Sequence, residues 1–397
     1  MQFLFGDYSL DVGRRELRRS ADLVELEPQV FDLLVYLVQN RDRIVTKEDL
    51  VAAIWGGRIV SESTLSSRIA AVRKAIGDSG KQQALIRTAA RKGIRFVGAV
   101  SARAQAGFAA PDAMPTFAAP DPPRQEIHFC TTADGVRVAY AQVGQGPPLV
   151  KAANWLRHLE YDWQSPVWGR LLHALAAEHR LIRYDDRGTG FSDRRVDNIS
   201  FETFVGDLES VVDAAGLDRF ALFGASRGCA VCIAYAVRHP ARVSRLVLYG
   251  GYSRGRHHRG SDTAQADAFL TLFREGFAPE NRSIRQMLKY SIFPGGTAEQ
   301  LQWFNDLQQI TTSAETAVRI RQATYDIDVS DLLPRITVPT LVLHCREDSA
   351  EPFDEARLIA AGIPGSRLVA LEGRNHLVLD SDPAWSRLRE EIVSFLS

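Results

Sequence analysis

The chain has 397 residues, 45% of them apolar and 24% charged, and its 48 Lys and Arg balance its 48 Asp and Glu. This is the composition of an ordinary soluble globular protein; the length predicts roughly two or three domains, and zero net charge names no partner. Four cysteines, Cys130, Cys229, Cys232 and Cys345, lack paired-knuckle spacing, which argues against a disulfide framework and structural zinc and suits a reducing cytosol.

No apolar run reaches the ~18–20 residues of a bilayer span. The start, "MQFLFGDYSLDVGRREL", lacks the basic opening and long apolar core of a signal peptide. A cytoplasmic protein without a membrane partner is expected.

Strand-like pieces come first: "MQFLFGDYSLD", "RELRR" and "LVELEP". In "PQVFDLLVYLVQN", Val30, Leu33, Leu34, Leu37 and Val38 fall at helical spacing behind Pro28. "TKEDLVAAIWG" predicts a second helix with Thr46 as N-cap, Asp49 three residues on and Gly56-Gly57 at its end. A third, "SESTLSSRIAAVRKAIGD", buries Leu65, Ile69, Val72 and Ile76. Its other face carries Ser63, Ser66, Ser67, Arg68, Ala71 and Lys74, with Arg73 beside them. "ALIRTAARKGIRFVG" predicts two short strands around Arg91-Lys92-Gly93. From Arg58 to Arg95 nine basic residues stand against two acids, Glu62 and Asp78. Such local positive charge in a neutral chain is an electrostatic footprint.

The segments "LEPQVFDLLVYL", "RIVTKEDLVAAIWG", "VSESTLSSRIAAVRKAIG" and "IRTAARKGIRF" resemble, in order, the winged-helix DNA-binding domain of OmpR/PhoB-type regulators across residues 1–98. The resemblance implies an α+β winged helix-turn-helix. It places the helix near Ser61–Ile76 in the major groove and the hairpin near Arg87–Arg95 at the minor groove or backbone. Ser63, Ser66, Ser67 and Ala71 are then small enough to let the helix sit deep. Arg68 is the candidate for bidentate guanine contact, and Arg73, Lys74, Arg91 and Lys92 for phosphate. The family's turn often reads Gly-x-Gly-Tyr, and this chain departs from it with Arg91-Lys92-Gly93-Ile94-Arg95. Binding of double-stranded DNA as a homodimer is expected. With no receiver domain ahead of the module, the signal is expected from the C-terminal part.

"SARAQAGFAAPDAMPTFAAPDPPR", with eight Ala and five Pro, predicts a linker over 99–125. Beyond it strands and helices alternate. "EIHFCTT" and "VRVAYAQV" form a hairpin around Asp134-Gly135. "PLVKAA", "RLIRYD", "RFALFG", "VSRLVLYG", "TLVLHC" and "SRLVALEG" read as further strands. This predicts an α/β domain over 126–397, a mostly parallel sheet with helices on both faces.

"FGASRG" puts Ser226 between a strand and a helix. So sharp a corner strains the serine and exposes its hydroxyl, and the flanking glycines leave room for the crowded backbone. A nucleophilic serine needs a base, and the base an orienting acid. Asp348 follows "TLVLHC" and His376 follows "SRLVALEG", each where a strand ends; Glu347 and Glu351 are rival acids. Cys229 and Cys232 form C-x-x-C, at positions expected inside a buried helix.

With "YDDRGTGFSD", "FGASRG", "LVLHCRED" and "LEGRNH" in order, residues 126–397 resemble an α/β-hydrolase. The resemblance implies Ser226, Asp348 and His376 as a catalytic triad and the backbone N–H groups of Arg227 and Trp155 as oxyanion hole. Ala153-Asn154-Trp155 replaces the usual His-Gly there. It implies a helical cap over about 252–335; in "YDDRGTGFSD", Arg187 and its neighbouring acids are expected to brace their loop rather than do chemistry. The Arg227 side chain either lines the pocket, favouring an anionic or carbonyl-rich ligand, or faces solvent or pairs with an acid. His257-His258 reads as a solvated loop, and no metal or cofactor is expected. The predicted function is a one-component transcription regulator whose hydrolase domain senses a small molecule, with or without hydrolysing it. The alternatives are a serine esterase whose DNA-binding module is secondary, and a pure binding module with a vestigial triad.

Overall fold

The computed structural model describes residues 2–11, 15–20, 22–24, 26–41, 43–47, 49–50, 54, 62–89, 92–103, 124–260, 263–277 and 281–397. The chain divides into two compact units, Met1–Phe117 and Ala118–Ser397.

In the first unit, "MQFLFGDYSLD" is a hairpin of β1 (Gln2–Phe5) and β2 (Tyr8–Asp11) rather than one strand. With β3 (Glu16–Arg19) and β4 (Asp22–Val24) they form an antiparallel sheet. The helix Pro28–Gln39 starts on its proline, whose missing N–H costs nothing there. Leu33, Leu34, Leu37 and Val38 are wholly buried. Thr46 and Asp49 exchange side-chain-to-backbone hydrogen bonds of 3.1 and 3.0 Å, so Asp serves where Glu usually closes a capping box. The helix Glu62–Ala75 buries Leu65 and Val72, continued by Ile76 just beyond its end, and leaves Ile69 half-buried. A hairpin follows, β5 (Ile86–Ala89) and β6 (Gly93–Phe96), tied to the unit by a bridge between Val45 and Ile94. Then β7 (Ser101–Arg103) returns to pair with β1 and completes the first sheet. It falls inside the stretch predicted as linker. Between helix and hairpin, the buried Asp78 carboxylate accepts from the N–H groups of Ser79, Ala84, Leu85 and Ile86. Burial alone would raise its pKa, but these four donors hold it below the ordinary value.

The second unit is built on an eight-stranded sheet. β8 (Glu126–Thr131) pairs antiparallel with β9 (Arg137–Val143), which pairs antiparallel with β11 (Arg180–Tyr184). From there all pairings are parallel: β11 with β10 (Pro148–Lys151), then β12 (Phe220–Ala225), β13 (Val243–Tyr249), β14 (Thr340–Cys345) and β15 (Arg367–Leu371). On β12, Phe220 and Leu222 enter one hydrophobic cluster, and Ala221, Phe223 and Ala225 the other. The period of two thus fills both faces, which is why these strands read as continuous apolar runs. Four helices, Thr263–Gly276, Arg282–Tyr290, Ala298–Thr311 and Ala314–Tyr325, interrupt the alternation between β13 and β14, where a cap is expected.

Candidate functional site

β12 ends at Ala225 and the next helix, Gly228–Arg238, begins three residues on. Ser226 makes the turn at φ +50°, a left-handed backbone that costs a serine about 1–3 kcal/mol. Its N–H is held by the Tyr249 carbonyl at 2.9 Å. A Cβ on Gly224 would lie 2.7 Å from the Gly228 carbonyl oxygen, and one on Gly228 2.9 Å from that of Ala153. Both flanking positions therefore require glycine, which is the physical content of the Gly-x-Ser-x-Gly spacing.

His376 follows β15, and its N–H donates to the Ile292 carbonyl at 3.0 Å. Asn375 fixes the same loop by donating to Asp382 and accepting from the Gly295 N–H. His376 Nδ1 lies 2.8 Å from Asp348 Oδ2. Asp348 Oδ1 accepts from the N–H groups of Ala350 and Glu351, at 2.8 and 3.0 Å. Of the rival acids, Glu351 is ion-paired to Arg259 and Glu347 is exposed. His344, wholly buried in β14, brings Nε2 to 3.3 Å from Asp348 Oδ2 and 3.0 Å from the Glu351 carbonyl. Sequence reasoning passed over His344. Its signal was an imidazole in the apolar strand "TLVLHC", four residues before Asp348.

Burial pushes the Asp348 carboxyl up, but the His376 and His344 imidazoles more than offset this and hold it well below the carboxylate range. An ionised carboxylate only accepts, so Nδ1 of His376 carries the proton and Nε2 keeps its lone pair. Burial depresses the His376 pKa, yet Asp348 outweighs burial and raises it above the ordinary value.

Ser226 and His376 line one cavity of about 220 Å³, with Trp155 and Arg227 beside them. Among the described residues, no backbone partner takes the N–H of Trp155 or of Arg227. The preceding loop is fixed by Lys151, a buried lysine whose Nζ donates to Asn154 Oδ1 at 3.0 Å and stands 4.4 Å over the Trp168 ring. Nothing in the sequence around Lys151 or Trp168 marks them for this role.

Arg227 lines the cavity, and its side chain also pairs with an acid. It is buried, ion-paired with Asp186, bonded to the Asn154 carbonyl at 2.7 Å and stacked 4.0 Å over Phe204. Arg187 bonds Asp207 and Asp134, both at 2.6 Å, and so braces the loop that follows β11. His257 and His258 lie against Asp326 and Asp328, acids distant in sequence. Cys229 and Cys232 are buried thiols whose pKa values burial pushes up, which makes them poor nucleophiles.

On the helix Glu62–Ala75, Ser66, Ser67 and Lys74 are exposed and Ala71 is half-buried. Arg68 is ion-paired with Glu27, its side chain 29% exposed. Arg73 departs from its expected place. It is buried, donating to the Ser79 carbonyl at 3.1 Å and to Thr88 Oγ1 at 2.9 Å. It sits one turn from Ile69 on the core side, so its charge ties the helix to the hairpin instead of reaching outward. Lys92 is exposed at the hairpin turn. Arg91 and the side chain of Ser63 lie outside the described residues.

Residues 161–383 match the alpha/beta hydrolase fold family, and residues 21–96 match the family described as transcriptional regulatory protein, C terminal. The AB hydrolase superfamily protein YisY of Bacillus subtilis is 29% identical over 259 residues, covering 63% of this chain and 92% of its own. Pyrrolizixenacetamide deacetylase of Xenorhabdus hominickii is 26% identical over 257 residues, covering 62% and 90%. Among solved structures, an esterase from Exiguobacterium antarcticum superposes with a TM-score of 0.58 at 27% identity, covering 68% of this chain and 98% of its own. No helix among the described residues is long and apolar enough to cross a membrane.

Proposed function

Because this chain belongs to the alpha/beta hydrolase fold family and carries a transcriptional-regulator DNA-binding domain ahead of it, we propose that it is a one-component transcription regulator whose hydrolase domain receives a small-molecule ester or amide as its signal. One observation carries the reading. A strained serine and an Asp-oriented histidine open on a common cavity in the same chain as the DNA-binding domain.

The chemistry is acyl transfer. Ser226 Oγ attacks the ligand carbonyl and its proton passes to His376 Nε2. The N–H groups of Trp155 and Arg227 take the oxyanion, and Asp348 stabilises the imidazolium. His376 then returns the proton to the departing alcohol or amine, and water releases the acid by the same steps. Ligand occupancy, or the acyl state, biases DNA binding to the extent that the ligand prefers one of two states of the protein.

A second reading is favoured by the esterase and deacetylase among the relatives: a working esterase in which the DNA-binding domain is secondary. Two measurements separate them. A fluorophosphonate probe is expected to label Ser226, and His376→Ala to suppress labelling. A gel shift over genomic fragments is expected to show sequence-specific, salt-sensitive binding. Labelling without any specific DNA binding sinks the regulator and leaves the esterase.

A further inference from the structure

The cavity above Ser226 has a largely apolar wall, to which Phe273, Leu288, Phe304 and Leu307 contribute. Set into this wall is a cation. Arg321, on the cap helix Ala314–Tyr325, holds its guanidinium 3.8 Å over the Trp155 ring and 5.0 Å from that of Phe273. Of the other arginines on the cavity, Arg157 pairs with Asp162, Arg227 pairs with Asp186, and Arg256 stacks 4.9 Å over the Phe269 ring. Glu351, an acid on the same cavity, is held by Arg259 at 2.5 Å, and the nearby Glu355 by Arg254 at 2.7 Å. Among the described residues Arg321 has no acid of its own, and its Nε is buried without a hydrogen-bond partner.

A guanidinium stays charged even when burial lowers its pKa. Burying it without a counter-charge is costly, and stacking on two aromatic rings offsets only part of that cost. A ligand that brings an anion into the cavity would supply the rest. The planar fork of Arg suits a carboxylate, which it can grip with two parallel hydrogen bonds.

We infer that the cavity is built for a small amphiphilic carboxylate, an aliphatic or aromatic body against the apolar wall with its carboxylate on Arg321. This rests on the cavity being the ligand site proposed above, and it names the class of ligand. For the hydrolysed form, the substrate is an ester or amide that carries a separate free carboxylate.

The test uses the full chain with Ser226→Ala, so that binding is read without turnover. 4-Phenylbutyrate and its amide, 4-phenylbutyramide, are titrated by calorimetry. The acid is expected to bind about tenfold or more tightly than the amide. Arg321→Gln should erase that difference while leaving amide binding alone, and Arg321→Lys should keep part of it. Equal binding of acid and amide, binding of neither, or an unchanged preference in a folded Arg321→Gln chain overturns the inference. Should Arg321→Gln fail to fold, the unaltered protein decides. It is expected to turn over the mono-p-nitrophenyl ester of glutaric acid faster than p-nitrophenyl valerate, and the reverse order counts against the carboxylate. Acid-selective binding without turnover of either ester sinks the hydrolase chemistry alone. Turnover of the neutral ester with equal binding of acid and amide sinks this inference alone.

Discussion

Arg227 and Asp186 form an ion pair in the interior, each side chain 2% exposed. The pair is incompletely satisfied, because Arg227 Nη1 and Asp186 Oδ1 are buried without partners. Removing one charge strands the other in a low dielectric, so Asp186→Asn is expected to destabilise the hydrolase domain by about 3–5 kcal/mol. Replacing both, Arg227→Met with Asp186→Leu, should recover most of that loss, since no buried charge remains. Urea unfolding of the three proteins checks this. A double variant no more stable than Asp186→Asn would mean that the pair contributes net stability.

The raised pKa of His376 fixes the pH dependence of any acyl transfer here. A general base must be neutral, and Asp348 favours the imidazolium. The rate is therefore expected to rise with pH, with its half-point above the ordinary ~6.5 of an imidazole. Asp348→Asn removes the charge that raises it. The half-point should move down and the rate fall by about 10⁴-fold, as expected when the imidazole loses its orienting carboxylate. Fluorophosphonate labelling rates between pH 5 and 9 measure both. A half-point at or below the ordinary value in the unaltered protein contradicts the role given to Asp348.

Much of this architecture was legible because short-range rules carry it. Gly224, Ser226 and Gly228 are neighbours in sequence, and their steric demand is local. Thr46 and Asp49 announce a helix start three residues apart. The depth of Arg73 was not legible, because the acceptors that hold it, the Ser79 carbonyl and Thr88 Oγ1, belong to the structure after the helix. The fate of the Arg227 side chain depended on Asp186, forty-one residues earlier in the chain. Arg321 was invisible for the same reason, since its meaning lies in the rings it stacks on and the acids it lacks. Local patterning predicts elements and turns, whereas the pairing of buried charges is decided by tertiary packing.

The burial of Arg73 separates two kinds of basic residue on the DNA-binding domain. Lys74 and Lys92 are exposed, and removing a cation that neutralises one phosphate should lower the slope of log affinity against log salt by about 0.9. Lys74→Ala and Lys92→Ala are each expected to show that change on cognate and random DNA alike. Arg73→Ala should leave the slope unchanged and instead cost about 1–3 kcal/mol of stability, having removed a buried charged donor of two hydrogen bonds. Arg68 differs again. Its partner Glu27 is 67% exposed, and such a surface pair is worth only about 0–1 kcal/mol, so exchanging Glu27 for a base edge costs little. Fluorescence anisotropy across a salt series, with thermal melts alongside, distinguishes the three. A lowered salt slope for a fully folded Arg73→Ala protein would contradict the structural role.

Ser226 and the helix Glu62–Ala75 belong to different compact units. Ser226→Ala is therefore expected to bind DNA without ligand as well as the unaltered protein does. Its effect should appear only in the response to ligand. If occupancy is the signal, the variant should still respond, and hold an ester for longer because it cannot be consumed. If the acyl state is the signal, the variant should be blind to an ester that the unaltered protein answers. Operator affinity, measured for both proteins with and without the ester, separates the two. Loss of ligand-free DNA binding in a folded Ser226→Ala protein would contradict the independence of the two units, on which both outcomes depend.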